Sequence, residues 1–164
     1  GLGMKWVMLS FLGIVGSSFA VPVLMDGEYA KAFCDAWNKT PQLVEELGKS
    51  ESWTAVPERK IFMYREDCGE AKQIQLTIKN EQGKAVCVYG GPAKDKRGPN
   101  DFLMYAQTQR WLEMGKGEYG PMKAMMFGRL KFEGPKFVAM KNMGPFEAFL
   151  KLIDKPPHDA SRCP

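Results

Sequence analysis

Few residues in this chain are equipped for covalent or metal chemistry. There is one histidine, His158, so neither a histidine-based triad nor a histidine metal site is expected. Four cysteines, Cys34, Cys68, Cys87 and Cys163, show no C-x-x-C spacing. A cysteine nucleophile needs an activating base, and the sequence pairs none with these four. No Gly-x-Ser-x-Gly elbow or phosphate-binding loop occurs. Glu66, Asp67 and Glu70 cluster where a turn is expected, which reads as a solvated group. Catalysis is the weakest reading, and no metal or cofactor is expected. The chemistry the sequence favours is apolar. In "MKAMMFGRLKFEGP", residues 122–135, three methionines and a phenylalanine take four of the first six positions. Methionine is unbranched and polarizable, so a wall built from it adapts to guests of different shape.

Composition sets the frame for that wall. The 164 residues suit one domain with a real core, at 45% hydrophobic and 26% charged content. The formal net charge of +4 is mild. The densest basic cluster, Lys94, Lys96 and Arg97, is interrupted by Asp95 and reads as a solvated loop, so no nucleic-acid partner is expected. Methionine is the outlier, with 11 in the chain and seven in its second half.

The N-terminus, "MKWVMLSFLGIVGSSFA", carries one lysine, an apolar stretch and then Ser18-Phe19-Ala20, the layout of a secretory signal cleaved before Val21. Glycines, serines and Pro22 make it a marginal membrane span. Residues 1–24 are therefore expected to be an apolar leader, 25–155 the folded domain and 156–164 a Pro-rich tail. Export or a periplasmic location follows if the leader is a signal, a cytoplasmic one otherwise. An even cysteine count permits disulfides without fixing a pairing.

The elements that must position the apolar wall are legible from periodicity. Tyr29, Phe33 and Trp37 recur every four residues on one helix, and Thr40-Pro41 opens a second through Leu47. Asn38-Lys39-Thr40 is also a glycosylation sequon. Three strands follow in "RKIFMYRED", "QIQLTIK" and "KAVCVYGG". With Asn80-Glu81-Gln82-Gly83 as the turn, Lys79 pairs Lys84, and Ile78, Leu76 and Ile74 face Ala85, Cys87 and Tyr89 on one buried side. Val86 and Val88 then point to the other face, which is expected to be covered too. That register separates Cys68 from Cys87, so those two are not expected to bond. "DFLMYA" reads as a fourth strand. Thr108 caps a short helix ended by Gly115, Pro121 to Phe127 form the next, and "RLKF" is a fifth strand. "KFVAMKNMGPFEAFLKLI" reads as a final amphipathic helix. The order is that of an α+β domain, helices packed on a mainly antiparallel five-stranded sheet.

Within that order, "WLEM-G" followed by "GPMKAMMFGRLKFEG" resembles the sterol carrier protein 2 (SCP2) family. The match consists of a Trp-bearing short helix, a Gly-Pro opening, small Ala124 within an apolar helix, and the Gly-basic-Leu-Lys-apolar-x-Gly strand. Motif-specific likeness spans residues 108–134, and the order of elements extends it to about 26–155. Pro135 departs from the acidic or small polar residue usual there, and the leader lies outside the pattern. The chain ends Arg162-Cys163-Pro164, which is no peroxisomal address.

The resemblance implies a hydrophobic tunnel between sheet and helices that holds sterols, fatty acids, fatty acyl chains or phospholipids. Its expected lining is Trp111, Met122, Met125, Met126 and Phe127 from the short helices, Leu130 and Phe132 from the last strand, and Met140, Met143, Phe146, Phe149 and Leu150 from the final helix. Plain core packing is the competing reading for each. Arg110, Lys116, Lys123 or Arg129 would meet a charged head at the mouth. The expected function is non-enzymatic binding or transfer of apolar lipid, with transient membrane contact. The alternative is an occluded interaction module whose groove is filled, by the leader in one version.

Overall fold

The computed structural model describes residues 20–164; the signal-like leader falls largely outside them. Asp26 starts helix α1 (Gly27–Trp37) by accepting from the Tyr29 amide, and Tyr29, Ala30, Phe33, Cys34 and Trp37 form its buried stripe. Helix α2 (Pro41–Gly48) follows with proline at its first position. Thr40 sits at the N-cap position, but its hydroxyl donates back to Ala36 O and makes no cap bond. Asn38 of the sequon is spent on β-sheet backbone, donating to Cys87 O and accepting from Cys87 N.

The sheet contains β1 (Glu58–Arg65), β2 (Ile74–Glu81), β3 (Lys84–Pro92), β4 (Phe102–Ala106) and β5 (Lys131–Glu133) in the order β3-β2-β1-β4-β5. β1 and β4 run parallel and the other neighbours antiparallel. The β2–β3 register corrects the expected one by two residues. Glu81 pairs Lys84 and Ile78 pairs Cys87, because the turn is only Gln82-Gly83, both at positive φ (52° and 76°). A two-residue slip preserves alternation, so Ile74, Leu76, Ile78, Ala85 and Cys87 still face the core. A bulge at Thr77/Ile78 then skips Val88 and sets Tyr89 opposite Thr77. Tyr89 thereby leaves the expected buried face, and its hydroxyl donates to Pro92 O. Val88 is half exposed, contrary to the expected covering. The outer face is closed elsewhere, by Phe62, Gln75 and the stacked rings of Tyr64 and Tyr105.

Helix α3 (Thr108–Gly115) is capped from outside: Asp67, not Thr108, accepts from the first helical amide at 2.8 Å and from the Thr108 hydroxyl. Helix α4 (Pro121–Met126) ends at Phe127, with Gly128 at φ 67° beyond it. The expected single last helix is two, α5 (Lys136–Lys141) and α6 (Met143–Lys151), broken at Asn142 where φ −129° and ψ 46° leave the helical region. A 3-10 turn, Leu152–Asp154, completes α6.

The Pro-rich tail is part of the fold. Asp159 bridges Val23 in parallel, and buried Arg65 donates to Leu24 O, Ala160 O and Arg162 O as well as to Thr108 Oγ1. Disulfides join Cys34 to Cys87 and Cys68 to Cys163. The first ties α1 to β3 within the core; the second fixes the tail end against the turn after β1.

Candidate functional site

Helices α1, α2, α5 and α6 close over the inner face of the sheet and leave a cavity of about 50 Å³. Its floor is Ile61 of β1, Phe102 and Met104 of β4 and Phe132 of β5. Trp37 of α1 and Leu43 and Leu47 of α2 form one side, Trp53 a second. Val138 and Ala139 of α5, then Asn142, and Pro145, Phe146 and Phe149 of α6 form the roof. Among the described residues no ionisable side chain lines it.

Aromatic contacts set its shape. Phe149 meets Phe33 edge-on at 5.3 Å between ring centroids and Trp37 at 6.1 Å. Trp53 stacks on Phe102 at 5.8 Å, and Phe102–Phe132–Phe146 continue the chain of rings along the floor and roof. The Trp53 wall is held by Arg59, which is buried and donates to Trp53 O, Ser52 O and Asn100 O. Its guanidinium lies 5.2 Å from the Trp53 ring centroid. Burial lowers the Arg59 pKa and Asp101 opposes that shift. Asn142 is the polar residue of the lining; its amide donates to Ser52 Oγ at 3.0 Å and Val138 O at 2.7 Å, joining the α5–α6 break to the segment before Trp53.

Of the twelve residues expected at a lining, Phe132, Phe146 and Phe149 meet at the cavity. Trp111, Leu130 and Leu150 are packed core, with Trp111 Nε1 donating to Tyr64 O. Met125 and Met143 are partly buried against that core. Met122, Met126, Phe127 and Met140 are exposed. On α4 the cause is local: the helix spans six residues and buries only Pro121 and Ala124, so Met122 and Met126 face out. The four basic residues expected at the mouth lie away from the cavity lining. Arg110 pairs with Glu113 at 3.0 Å, and Arg129 lies over the Tyr119 ring at 4.7 Å.

Most of the lining residues that sequence reasoning missed come from the first two thirds of the chain, Trp37, Leu43, Leu47, Trp53, Ile61, Phe102 and Met104; the others, Val138, Ala139, Asn142 and Pro145, flank the α5–α6 break. The Tyr29–Phe33–Trp37 stripe marked Trp37 as buried and the β-formers of "RKIFMYR" placed Ile61 on a strand, but a cavity needs the packing of distant elements. Of the three carboxylates read as solvated, Glu70 is exposed and Glu66 and Asp67 are used structurally. Glu66 pairs with Lys131 at 2.6 Å. Burial would raise the Asp67 pKa, but the two Thr108 hydrogen bonds, a bond from its own backbone amide and the charge of Arg65 together hold the carboxyl below its ordinary value. His158 stands edge-on to Tyr29, away from the cavity. Among the described residues no group of acidic, histidine or cysteine side chains could hold a metal ion.

Fold and cavity together define a class: an α+β domain whose helices close an apolar space against a mixed sheet. The model of the SCP-2 sterol transfer family matches residues 44–147, more than half of the sequence. The chain belongs to that family. No curated protein matches it significantly. A crystal structure of sterol carrier protein 2 superposes with a TM-score of 0.58 at 16% identity, covering 81% of this chain and 98% of the other. A Thermus thermophilus protein described as possibly a sterol carrier protein superposes with a TM-score of 0.55 at 16% identity, covering 88% and 96%. At such identities the likeness is one of fold.

Proposed function

We propose that the protein is a non-enzymatic carrier of an apolar lipid, holding a sterol, a fatty acid or the acyl chain of a larger lipid between sheet and helices. The observation that carries this reading is a family fold that closes over a cavity whose wall is apolar but for Asn142 and holds no acid, base or nucleophile. Each methylene buried there contributes about 0.8 kcal/mol. Ten would contribute roughly 8 kcal/mol, which corresponds to about micromolar affinity before ordering costs. The cavity holds about 50 Å³, whereas pockets for small ligands hold roughly 300–1,000 Å³, so loading requires the roof to move. Loading takes place at a membrane surface, where the cargo resides. The pairing of all four cysteines supports an oxidising compartment, in keeping with an exported protein.

The small cavity also favours a second reading, an interaction module whose interior is filled. A titration separates the two. The full chain is titrated with an environment-sensitive fatty acid, a fluorescent sterol and a fluorescent phospholipid, with native mass spectrometry for stoichiometry. Saturable one-to-one uptake of any of them supports the carrier. Failure of all three refutes it in favour of the filled module.

A further inference from the structure

Helix α5 has two apolar faces, and only one of them is used by the core. Val138 and Ala139 roof the cavity, whereas Phe137 is 67% and Met140 48% exposed, between Lys136 and Lys141. Among the described residues, five of the seven exposed large apolar side chains lie between residues 122 and 140. Lys141 Nζ lies 5.5 Å from the Phe137 ring centroid. Both ends of α5 leave helical geometry, at Pro135 (ψ 92°) and at Asn142. Beside it runs a surface groove of about 520 Å³ lined by Ser50, Glu51, Ser52, Ala55, Phe137 and Lys141. Groove and cavity are adjacent: Ser52 lines the first, Asn142 the second, and their hydrogen bond stands between them.

We infer that the outer face of α5 docks on an anionic lipid surface, and that docking swings α5 off Ser52 to join groove and cavity into one lipid-sized site. This rests on the carrier reading. Exposed phenylalanine and methionine supply the apolar insertion, and the two lysines supply attraction to anionic headgroups. Glu51 is the one acidic residue of the groove lining and shares it with Lys141, so against Lys136 and Lys141 together the charge balance stays positive. The groove volume falls within the range that holds a small ligand. In the joined space an acyl chain enters the aromatic cavity while its head stays in the groove beside Lys141. Helix α4 with the turn after it has a similar composition, with Met122, Met126 and Phe127 beside Lys123 and Arg129, but it lines no part of the cavity.

Because all four cysteines are bonded, a single labelling thiol can be added to the full chain. Met140→Cys and, separately, Met126→Cys are labelled with an environment-sensitive dye and mixed with phosphatidylglycerol or phosphatidylcholine vesicles. A fluorescent fatty acid in the same vesicles reports transfer. The expected result is an emission rise at position 140 with phosphatidylglycerol alone. Phe137→Ser should weaken it roughly tenfold or more, and Lys136→Gln with Lys141→Gln roughly thirtyfold at low salt. No rise at 140, a rise at 126 alone, or an equal rise with phosphatidylcholine overturns the docking face. Fatty-acid transfer without a rise at 140 overturns docking while keeping the carrier; a rise at 140 without transfer supports docking and refutes the carrier.

Discussion

Phe149→Ala tests the packing of the cavity and its proposed use together. Phe149 is 3% exposed, its ring contacts both Phe33 and Trp37 edge-on, and it forms part of the roof. Truncating a buried phenylalanine costs about 3–5 kcal/mol, of which the enlarged void accounts for about 24 cal/mol per Å³. A domain of this size has roughly 5–15 kcal/mol in hand, so the variant should fold and lose about 3–5 kcal/mol in urea unfolding at an unchanged m-value. The urea series is repeated with a saturating fatty acid. A ligand at a hundred times its dissociation constant stabilises by about 2.7 kcal/mol. A chain that fills the new void should stabilise the variant more than the wild type. A loss below about 1 kcal/mol would refute the packing argument. Equal stabilisation of both proteins would mean that the fatty acid sits elsewhere.

Three further perturbations follow from the same contacts. Arg59→Lys replaces a fork that reaches three carbonyls with one ammonium, so about 2–3 kcal/mol of stability should be lost and the Trp53 fluorescence environment should change. The Cys68–Cys163 bond has a sequence separation of 95, and replacing both cysteines by serine should cost up to about 4–5 kcal/mol by urea midpoint. Amide exchange should then quicken first at residues 156–164. Asp67 has its pKa lowered in the fold, so its contribution is present above the unfolded value near pH 4 and is lost as pH falls through the lower folded value. Asp67→Asn should cost about 0.5–1 kcal/mol at pH 7, since the cap is solvent-screened. Its stability should then fall less than that of the wild type between pH 4 and pH 2.

The α+β class, the five strands and their order along the chain are legible because each strand is either alternating, as in "QIQLTIK", or a short run rich in β-formers, as in "KIFMY" and "FLMYA", bounded by turn residues. The sheet face was legible even where the register was not. A two-residue slip keeps Ile74, Leu76, Ile78, Ala85 and Cys87 inward, so hydrophobic alternation cannot detect it. What decides it is Gln82, a non-glycine residue at positive φ that sequence reasoning assigned to a longer turn. The break at Asn142 was hidden within a continuous amphipathic pattern, because Val138, Ala139, Phe146 and Phe149 keep helical spacing on either side. The cavity was partly legible through Phe132, Phe146 and Phe149. Trp53 and Phe102 escaped because their role depends on Arg59 drawing a distant loop over β4. The exposed methionines show the limit of composition: adaptable side chains marked an apolar region, but not which way it faces.

The positions of the cysteines also impose an order on synthesis. Cys34 and Cys87 are both translated well before Cys163, whereas Cys68 must wait through almost the whole second half of the chain for its partner. During that interval three thiols are present, and only one pairing leaves Cys68 reduced. Docking of α1 on β3, which brings Cys34 and Cys87 to 5.5 Å between Cα atoms, selects that pairing. Gly90 matters here as well, since a Cβ there would clash with Ala30 O and Cys34 Cβ. A larger residue at position 90 would hold the helix away and leave Cys34, Cys68 and Cys87 to compete. Its signature would be scrambled disulfide isomers in the oxidised product, relieved by an added disulfide isomerase.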